Sequence, residues 1–346
     1  MTTFLYIVLA IFLFGFLVFI HELGHFTAAR ACGIKVNEFS IGMGPRLICK
    51  KSKKSGTEYS VRAIPFGGFV SMDGESELSD DENAFCNKPV WQRIIILFAG
   101  PFMNLILGFL LMILLVTLSA TPASNTVAKF QDVAMSHICG LEVGDKIIEV
   151  DGTPVHTGDE VVYEIMMQGY EPIDLIVVRD GKKVYLPDVQ FRTDVQSGIK
   201  IGLYDFWLEG EQKNFATVMK HAFFRSCSTV KMVWDSLSGL IGGRFGMEAV
   251  SGPVGMTQQI TQVAQTGDSL NLLYLFIVIS INLGVMNLLP LPALDGGHLV
   301  FYVLELIAGR PVIKRETENM IHAIALLLLL GFIGVITVKD VFKLFG

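Results

Sequence analysis

Charge is what this chain lacks most. Only 17% of its 346 residues are Asp, Glu, Lys or Arg, where soluble domains carry nearer a quarter. Between Leu5 and Ile20 no charged residue occurs at all. A net charge of −6 gives no reason to expect nucleic acid as a partner. The five cysteines (Cys32, Cys49, Cys86, Cys139 and Cys227) are odd in number and form no CxxC pair. That argues against a disulfide framework or a cysteine zinc site, and predicts five free thiols. Features of a cleaved signal peptide are missing too: the first apolar run has no basic leader, is too long, and ends without a small-residue cleavage site. It is expected to be a retained span.

What is present in abundance is apolar surface. Hydrophobic residues make up 51% of the chain, and mean hydropathy is +0.53. Four segments approach the roughly 20 apolar residues that cross a bilayer: Phe4–Ala29, Ile94–Ala120, Leu270–Leu294 and Ile321–Val338. Pro290 and Pro292 interrupt the third; Gly331 and Gly334 in the fourth suggest close helix packing. The expected fold class is a polytopic α-helical membrane protein with four transmembrane helices, a membrane-associated β-hairpin or sheet, and an inserted α+β domain. The segments run 1–30 (first span), 31–92 (loop with a re-entrant hairpin), 93–120 (second span) and 121–208 (insert). They continue as 209–267 (amphipathic helix and linker), 268–298 (third span), 299–317 (loop) and 318–346 (fourth span). The first loop carries Lys35, Arg46, Lys50, Lys51, Lys53, Lys54, Arg62, Lys88 and Arg93, and the second Arg310, Lys314 and Arg315. The positive-inside rule makes both cytoplasmic and puts the termini and the insert outside.

The first loop also has the glycine punctuation and short alternating runs of strands, at Phe39–Pro45 and Glu58–Val70. Its apolar outward positions suggest a sheet that dips into the membrane; a plain cytosolic hairpin is the alternative. The acidic stretch Asp73–Glu82 reads as solvated loop. In the insert, Gly140–Val155 reads as turn, strand, tight turn, strand. Asp159–Gln168 fits a helix, and strands are expected at Pro172–Val178 and Lys183–Leu186 around an Asp180-Gly181 turn. Asn214–Leu240 has amphipathic helical spacing, for a membrane surface or for packing on the insert.

The chemistry gathers at the end of the first span, in His21-Glu22-Leu23-Gly24-His25. Histidines at i and i+4 lie about 40° apart on a helix, so both can reach one ion, with Glu22 beside them as acid/base. Titratable groups at this depth mark function. A hydrolytic zinc site needs a third protein ligand. The extended HExxHxxGxxH pattern fails here, because Ala28 and Ala31 stand at its later positions. Asp295, in Asn287-Leu288-Leu289-Pro290-Leu291-Pro292-Ala293-Leu294-Asp295-Gly296-Gly297, is the better candidate, at the corresponding end of another span. His298 is left out of the ligand set, and His322 is read as structural or interfacial.

HELGH at the end of the first span, with NLLPLPALDGG in the third, resembles the site-2 protease family of intramembrane zinc metalloproteases, peptidase family M50. FSIGMGP, YSVRAIPFGGFV, AGPFMN and SGPVG, in order across nearly the whole chain, look like its bacterial RseP-like branch. The resemblance implies Zn2+ held by His21, His25 and Asp295, with Glu22 catalytic. It implies that Asn287 holds substrate near the metal and that Tyr59–Val70 clamps substrate as an added strand. Tyr59, Ser60, Val61, Phe66, Gly67, Gly68 and Phe69 become the candidate substrate contacts. The insert becomes a single PDZ-like domain whose loop is Gly140, Leu141, Gly144 and Asp145. That loop lacks the usual proline before Gly-Asp, so it either captures substrate C-termini or excludes by size.

The expected activity is hydrolysis of peptide bonds within single-span membrane proteins, such as anti-sigma factors or remnant signal peptides. The expected place is a bacterial inner membrane, with the lipid bilayer as partner. The rival reading is an inactive scaffold that binds protein C-termini through the PDZ-like domain. A zinc transporter would want a path of polar groups through spans two and four, which offer almost none.

Overall fold

The computed structural model describes residues 3–75, 79–196, 199–246 and 250–345. Residues 76–78, within the expected acidic loop, lie outside the described set. The chain forms two units, Met1–Gly108 with Ser251–Gly346, and Phe109–Val250.

The first unit opens with helix α1, Thr3–Ala31, whose apolar run ends in the HELGH motif. Strands β1 (Val36–Lys51) and β2 (Glu58–Met72) follow. Helix α2 is Val90–Leu118, and its residues after Gly108 belong to the second unit. After that unit the chain returns as α6 (Pro253–Gln265), α7 (Ser269–Leu288), α8 (Asp295–Ala308) and α9 (Arg315–Phe345). Among the described residues, four helices are long and apolar enough to cross a membrane: α1, α2, α7 and α9.

Two expectations change here. Residues 299–317 are not a simple loop, because α8 continues to Ala308 and ends at Gly309 in the left-handed region. Gly331 and Gly334 show no close packing: a Cβ at either would meet nothing within 4 Å.

The β1–β2 sheet is more folded than a plain hairpin. Phe39 lies opposite both Val70 and Tyr59, and Ile41 opposite both Gly68 and Val61. Val61 and Tyr59 in turn lie opposite Ile48 and Lys50. Tyr59–Val61 is therefore an interior segment with both edges taken, whereas Gly68–Met72 pairs on one side only among the described residues. Glu38 holds the sheet together, accepting from Ser60 Oγ at 2.6 Å and from Arg62 Nη2 at 2.9 Å, and pairing with Arg46. Phe39 packs its ring against Phe19 and Phe26 of α1, seating the sheet on that helix. Arg93 of α2 bonds Glu305 of α8 at 2.7 Å, and its guanidinium lies over the Tyr302 ring. Near the end of α9, buried Asp340 accepts from the Gly252 and Gly255 amides at 2.8 and 2.9 Å. It caps α6 and accounts for the SGPVG stretch, since those N–H groups have no partner within the helix.

The second unit contains β3 (Ala123–Phe130), α3 (Met135–Ile138), β4 (Lys146–Val150), β5 (Thr153–Pro154) and α4 (Gly158–Gln168). Next come β6 (Ile173–Arg179), β7 (Lys182–Val189), β8 (Arg192–Gln196), β9 (Ile199–Leu203), β10 (Phe206–Gly210) and α5 (Phe215–Ile241). The main sheet runs β10-β3-β4-β6-β7, with β5 beside β4 and β8-β9 separate. Val127, Leu141, Ile147, Leu175, Val177, Ile165 and Phe206 are fully buried between sheet and helix. Thr157 and Glu160 form a capping box that starts α4, as the Thr-x-x-Glu spacing requires. The inner face of α5 bonds to the insert through Lys231–Glu164 and Asp235–Tyr163, so packing on the insert is realised.

Candidate metal centre

His21 and His25 lie one turn apart on α1, and both are buried. Asp295 is the first residue of α8, delivered by the irregular turn Leu289–Leu294. Asp295 Oδ2 lies 3.0 Å from His21 Nε2 and 3.3 Å from His25 Nε2, and the two Nε2 atoms are 3.2 Å apart. A tetrahedral zinc with donors about 2.0–2.1 Å away separates any two of them by roughly 3.3 Å. The triangle therefore has the edge length of a zinc polyhedron. Two imidazoles and one carboxylate, with a fourth position open, are also the donor set of a hydrolytic zinc site. These residues fit the metal.

The nitrogens facing away from the triangle decide whether those facing it are free. His25 Nδ1 donates to the Ile96 carbonyl at 2.8 Å, so its Nε2 carries a lone pair. His21 Nδ1 lies 3.3 Å from Asn104 Nδ2, while Asn104 Oδ1 is buried without a partner. Turning that amide over places Oδ1 on the His21 Nδ1–H, satisfies both groups and frees His21 Nε2. Neither Ile96 nor Asn104 was anticipated as a functional residue. Both lie on α2, where Pro101 supplies no N–H to the Leu97 carbonyl and the ladder loosens. A backbone carbonyl has no signature in sequence, but Asn104 does: it is an amide inside an apolar run.

The helices must nearly touch to bring this about. A Cβ on Gly24 would sit 2.3 Å from the Ala99 carbonyl oxygen, and one on Gly100 would sit 2.3 Å from His25 Nε2. Only glycine at both positions lets α1 and α2 cross at the histidines.

Glu22 is half-buried beside the triangle, within electrostatic reach of His21, His25 and Asp295. The singly paired part of β2 runs past it. A Cβ on Gly68 would lie 3.2 Å from Glu22 Cγ, and the Val70 amide faces the Glu22 carboxylate.

The other candidates divide. Asn287, near the end of α7, is half-exposed and its amide has no hydrogen-bond partner among the described residues. Ser60 turns its hydroxyl to Glu38, and Tyr59 joins the Phe26–Phe39 aromatic cluster. With Val61 they form the interior segment, so their backbone cannot receive an added strand; the clamp expected of the whole Tyr59–Val70 stretch narrows to its second half. Gly67, Gly68 and Phe69 lie there, Phe69 beneath the Arg62 guanidinium. The Phe66 side chain lies outside the described set. Gly140, Leu141, Gly144 and Asp145 do form one turn, but its hydrogen-bonding groups are consumed internally. Arg179 donates to both Asp145 oxygens and to the Gly140 carbonyl, at 2.7–2.8 Å. Leu141 is core. A C-terminal carboxylate needs free N–H donors, and those of Gly140, Leu141, Gly144 and Asp145 are already bonded to the His137, Ser136, Val127 and Glu142 carbonyls at 2.9–3.2 Å.

The sequence pattern of peptidase family M50 matches residues 9–332. A protein of Fusobacterium nucleatum named, provisionally, a zinc metalloprotease is 35% identical over 98% of this chain and 99% of its own length. A similarly named Clostridium acetobutylicum protein is 36% identical over 98% of each chain. The regulator of sigma-W protease RasP of Bacillus subtilis is 29% identical over 97% of this chain and 98% of its own.

Proposed function

Since the chain belongs to peptidase family M50 and is a membrane-embedded zinc metalloprotease, we propose that it cuts peptide bonds inside the membrane spans of single-span proteins. The observation that carries this reading is the convergence of His21, His25 and Asp295 beside Glu22 and the singly paired part of β2. In it, His21, His25 and Asp295 hold the zinc. Bound there, the ion would supply Lewis acidity and lower the pKa of the attacking water towards about 7.

Glu22 takes the proton of the attacking water and returns it to the leaving amine nitrogen. Asn104 and the Ile96 carbonyl keep the two imidazoles in the ligating tautomer. A transmembrane helix hides its carbonyls in internal hydrogen bonds. Substrate therefore unwinds and adds as a strand along Gly67–Met72, where the absent Gly68 side chain lets its backbone reach Glu22. The unpartnered Asn287 amide holds a substrate carbonyl.

The centre faces the cytoplasmic side of a bacterial inner membrane in this reading, which the basic loops support. The insert serves there as a PDZ-like module on the outer side, a size filter more than a C-terminus trap, because the N–H groups of its Gly140–Asp145 turn are already bonded. The sigma-W link in the name of the Bacillus subtilis relative supports anti-sigma factors as one substrate class. The test is Glu22→Gln in proteoliposomes with a single-span substrate. It should keep stoichiometric zinc and lose cleavage; retained cleavage would sink the mechanism.

A further inference from the structure

A second group of ligand-type side chains stands near the centre: His298 of α8 with Glu318 and His322 of α9. It is not built for an ion. The His298 and His322 rings stack with centroids 3.5 Å apart and planes 11° off parallel. Lone pairs lie in the ring planes, so two such rings do not converge on one point between them. Further, Ala293 N–H donates to His322 Nδ1 at 3.0 Å. That uses the Nδ1 lone pair and leaves the proton on Nε2, whereas a ligating nitrogen must be bare.

The hydrogen bond itself points elsewhere. Ala293 has φ +78°, a left-handed backbone in a residue with a Cβ. Such a residue persists only where its surroundings over-determine it, and these residues gather at functional sites. Ala293 lies two positions before Asp295, at the end of the turn that sets the start and direction of α8. His322 is buried, and it reaches that turn from a different helix. The ring is held in plane from one face by His298, whose Nδ1 is 3.0 Å from Glu318 Oε1, one turn before His322 on α9.

We propose that His322 is a positioning residue for the metal centre: by accepting the Ala293 N–H it holds the left-handed kink that turns Asp295 towards His21 and His25. His298 and Glu318 keep the accepting ring in place. The inference rests on the reading of Asp295 as a zinc ligand.

The experiment uses the full chain in detergent, with zinc affinity from competition against a chromophoric chelator and the visible spectrum of the cobalt-substituted protein. Asp295→Ala tests the ligand reading separately; if it binds zinc like wild type, that reading fails whatever His322 does. His322→Leu should weaken zinc about tenfold, as loss of an outer support does, and alter the cobalt bands. His322→Asn places a side-chain oxygen near the position of Nδ1 and should bind zinc almost as wild type. Adding Ala293→Gly to His322→Leu should recover part of the loss, since glycine holds φ +78° without a brace. Wild-type affinity and spectrum in His322→Leu overturn the proposal, as do equal losses in the Leu and Asn variants. Should the Leu variant not fold, His322→Asn decides alone: near-wild-type affinity supports the brace and a tenfold loss refutes it.

Discussion

Gly100→Ala is the sharpest perturbation available, because one methyl group is aimed at one proposed metal ligand. The new Cβ would sit 2.3 Å from His25 Nε2 and 2.5 Å from its Cε1, where ordinary contact begins at 3.4 Å. The deficit is about 1.1 Å. His25 cannot simply retreat, since its Nδ1 is anchored on the Ile96 carbonyl four residues before the substitution. Either that bond breaks or α1 and α2 separate, and both spoil a triangle whose edges are 3.0–3.3 Å. Misplacing a reacting group by about 1 Å costs about 100-fold in rate. Helix propensity runs the other way, alanine being better than glycine by about 1 kcal/mol, so an unfolded α2 would not explain a loss. The assay is zinc content by mass spectrometry after dialysis against a weak chelator, together with cleavage of a single-span substrate in proteoliposomes. Gly331→Ala, a glycine with open space around it, is the matched control and should behave as wild type. Full zinc and near-normal cleavage in Gly100→Ala would refute the claim that this helix crossing builds the site.

Three further outcomes are expected. Asn104→Leu removes the acceptor for His21 Nδ1–H and should lower zinc affinity about 10- to 100-fold, read by chelator competition. Arg179→Ala strands the fully buried Asp145 carboxylate and should destabilise the insert by about 3–5 kcal/mol, read as earlier exposure of β4 and β6 in hydrogen exchange under denaturant. Burial pushes the Glu211 carboxyl up, but hydrogen bonds from His221 and Lys220 outweigh it and hold it below the usual carboxylate range. A depressed carboxyl stabilises the fold above its unfolded value of about 4.3 and loses that contribution as pH falls through its folded value. Exchange at the start of α5 should therefore rise on acidification below about pH 4.3, and Glu211→Gln should remove that acid-dependent step.

The spans and the HELGH motif were legible because both depend on local rules: apolar length against bilayer thickness, and the i, i+4 repeat of a helix. Asp295 could be paired with the histidines because it lies at the matching end of another span. The supports of the histidines were not legible in the same way. Ile96 acts through a backbone oxygen, and Asn104 acts from 83 residues away. The strand alternation of Glu58–Val70 was readable, but which half keeps an open edge depends on the double pairing of Phe39 and Ile41, a tertiary fact. Helix α8 was hidden because residues 268–298 read as one span and 299–317 as a loop; the break at Leu289–Leu294 and the Arg93–Glu305 pair that holds α8 to α2 are tertiary facts. The Gly140–Asp145 turn was expected as a binding loop only through the resemblance, and the partners of its N–H groups, which lie up to 17 residues away, are a tertiary fact.

The crossing of α1 and α2 also has a meaning in time. Both histidines, Ile96 and Asn104 are made early, whereas Asp295 follows Asn104 by 191 residues. At about 5–20 residues per second, that is a delay of roughly 10–40 s on the ribosome. Throughout it the nascent chain carries the two imidazoles and Glu22 without the carboxylate. On the proposed ligand set, the centre is complete only once Asp295 has been made and folded into the start of α8.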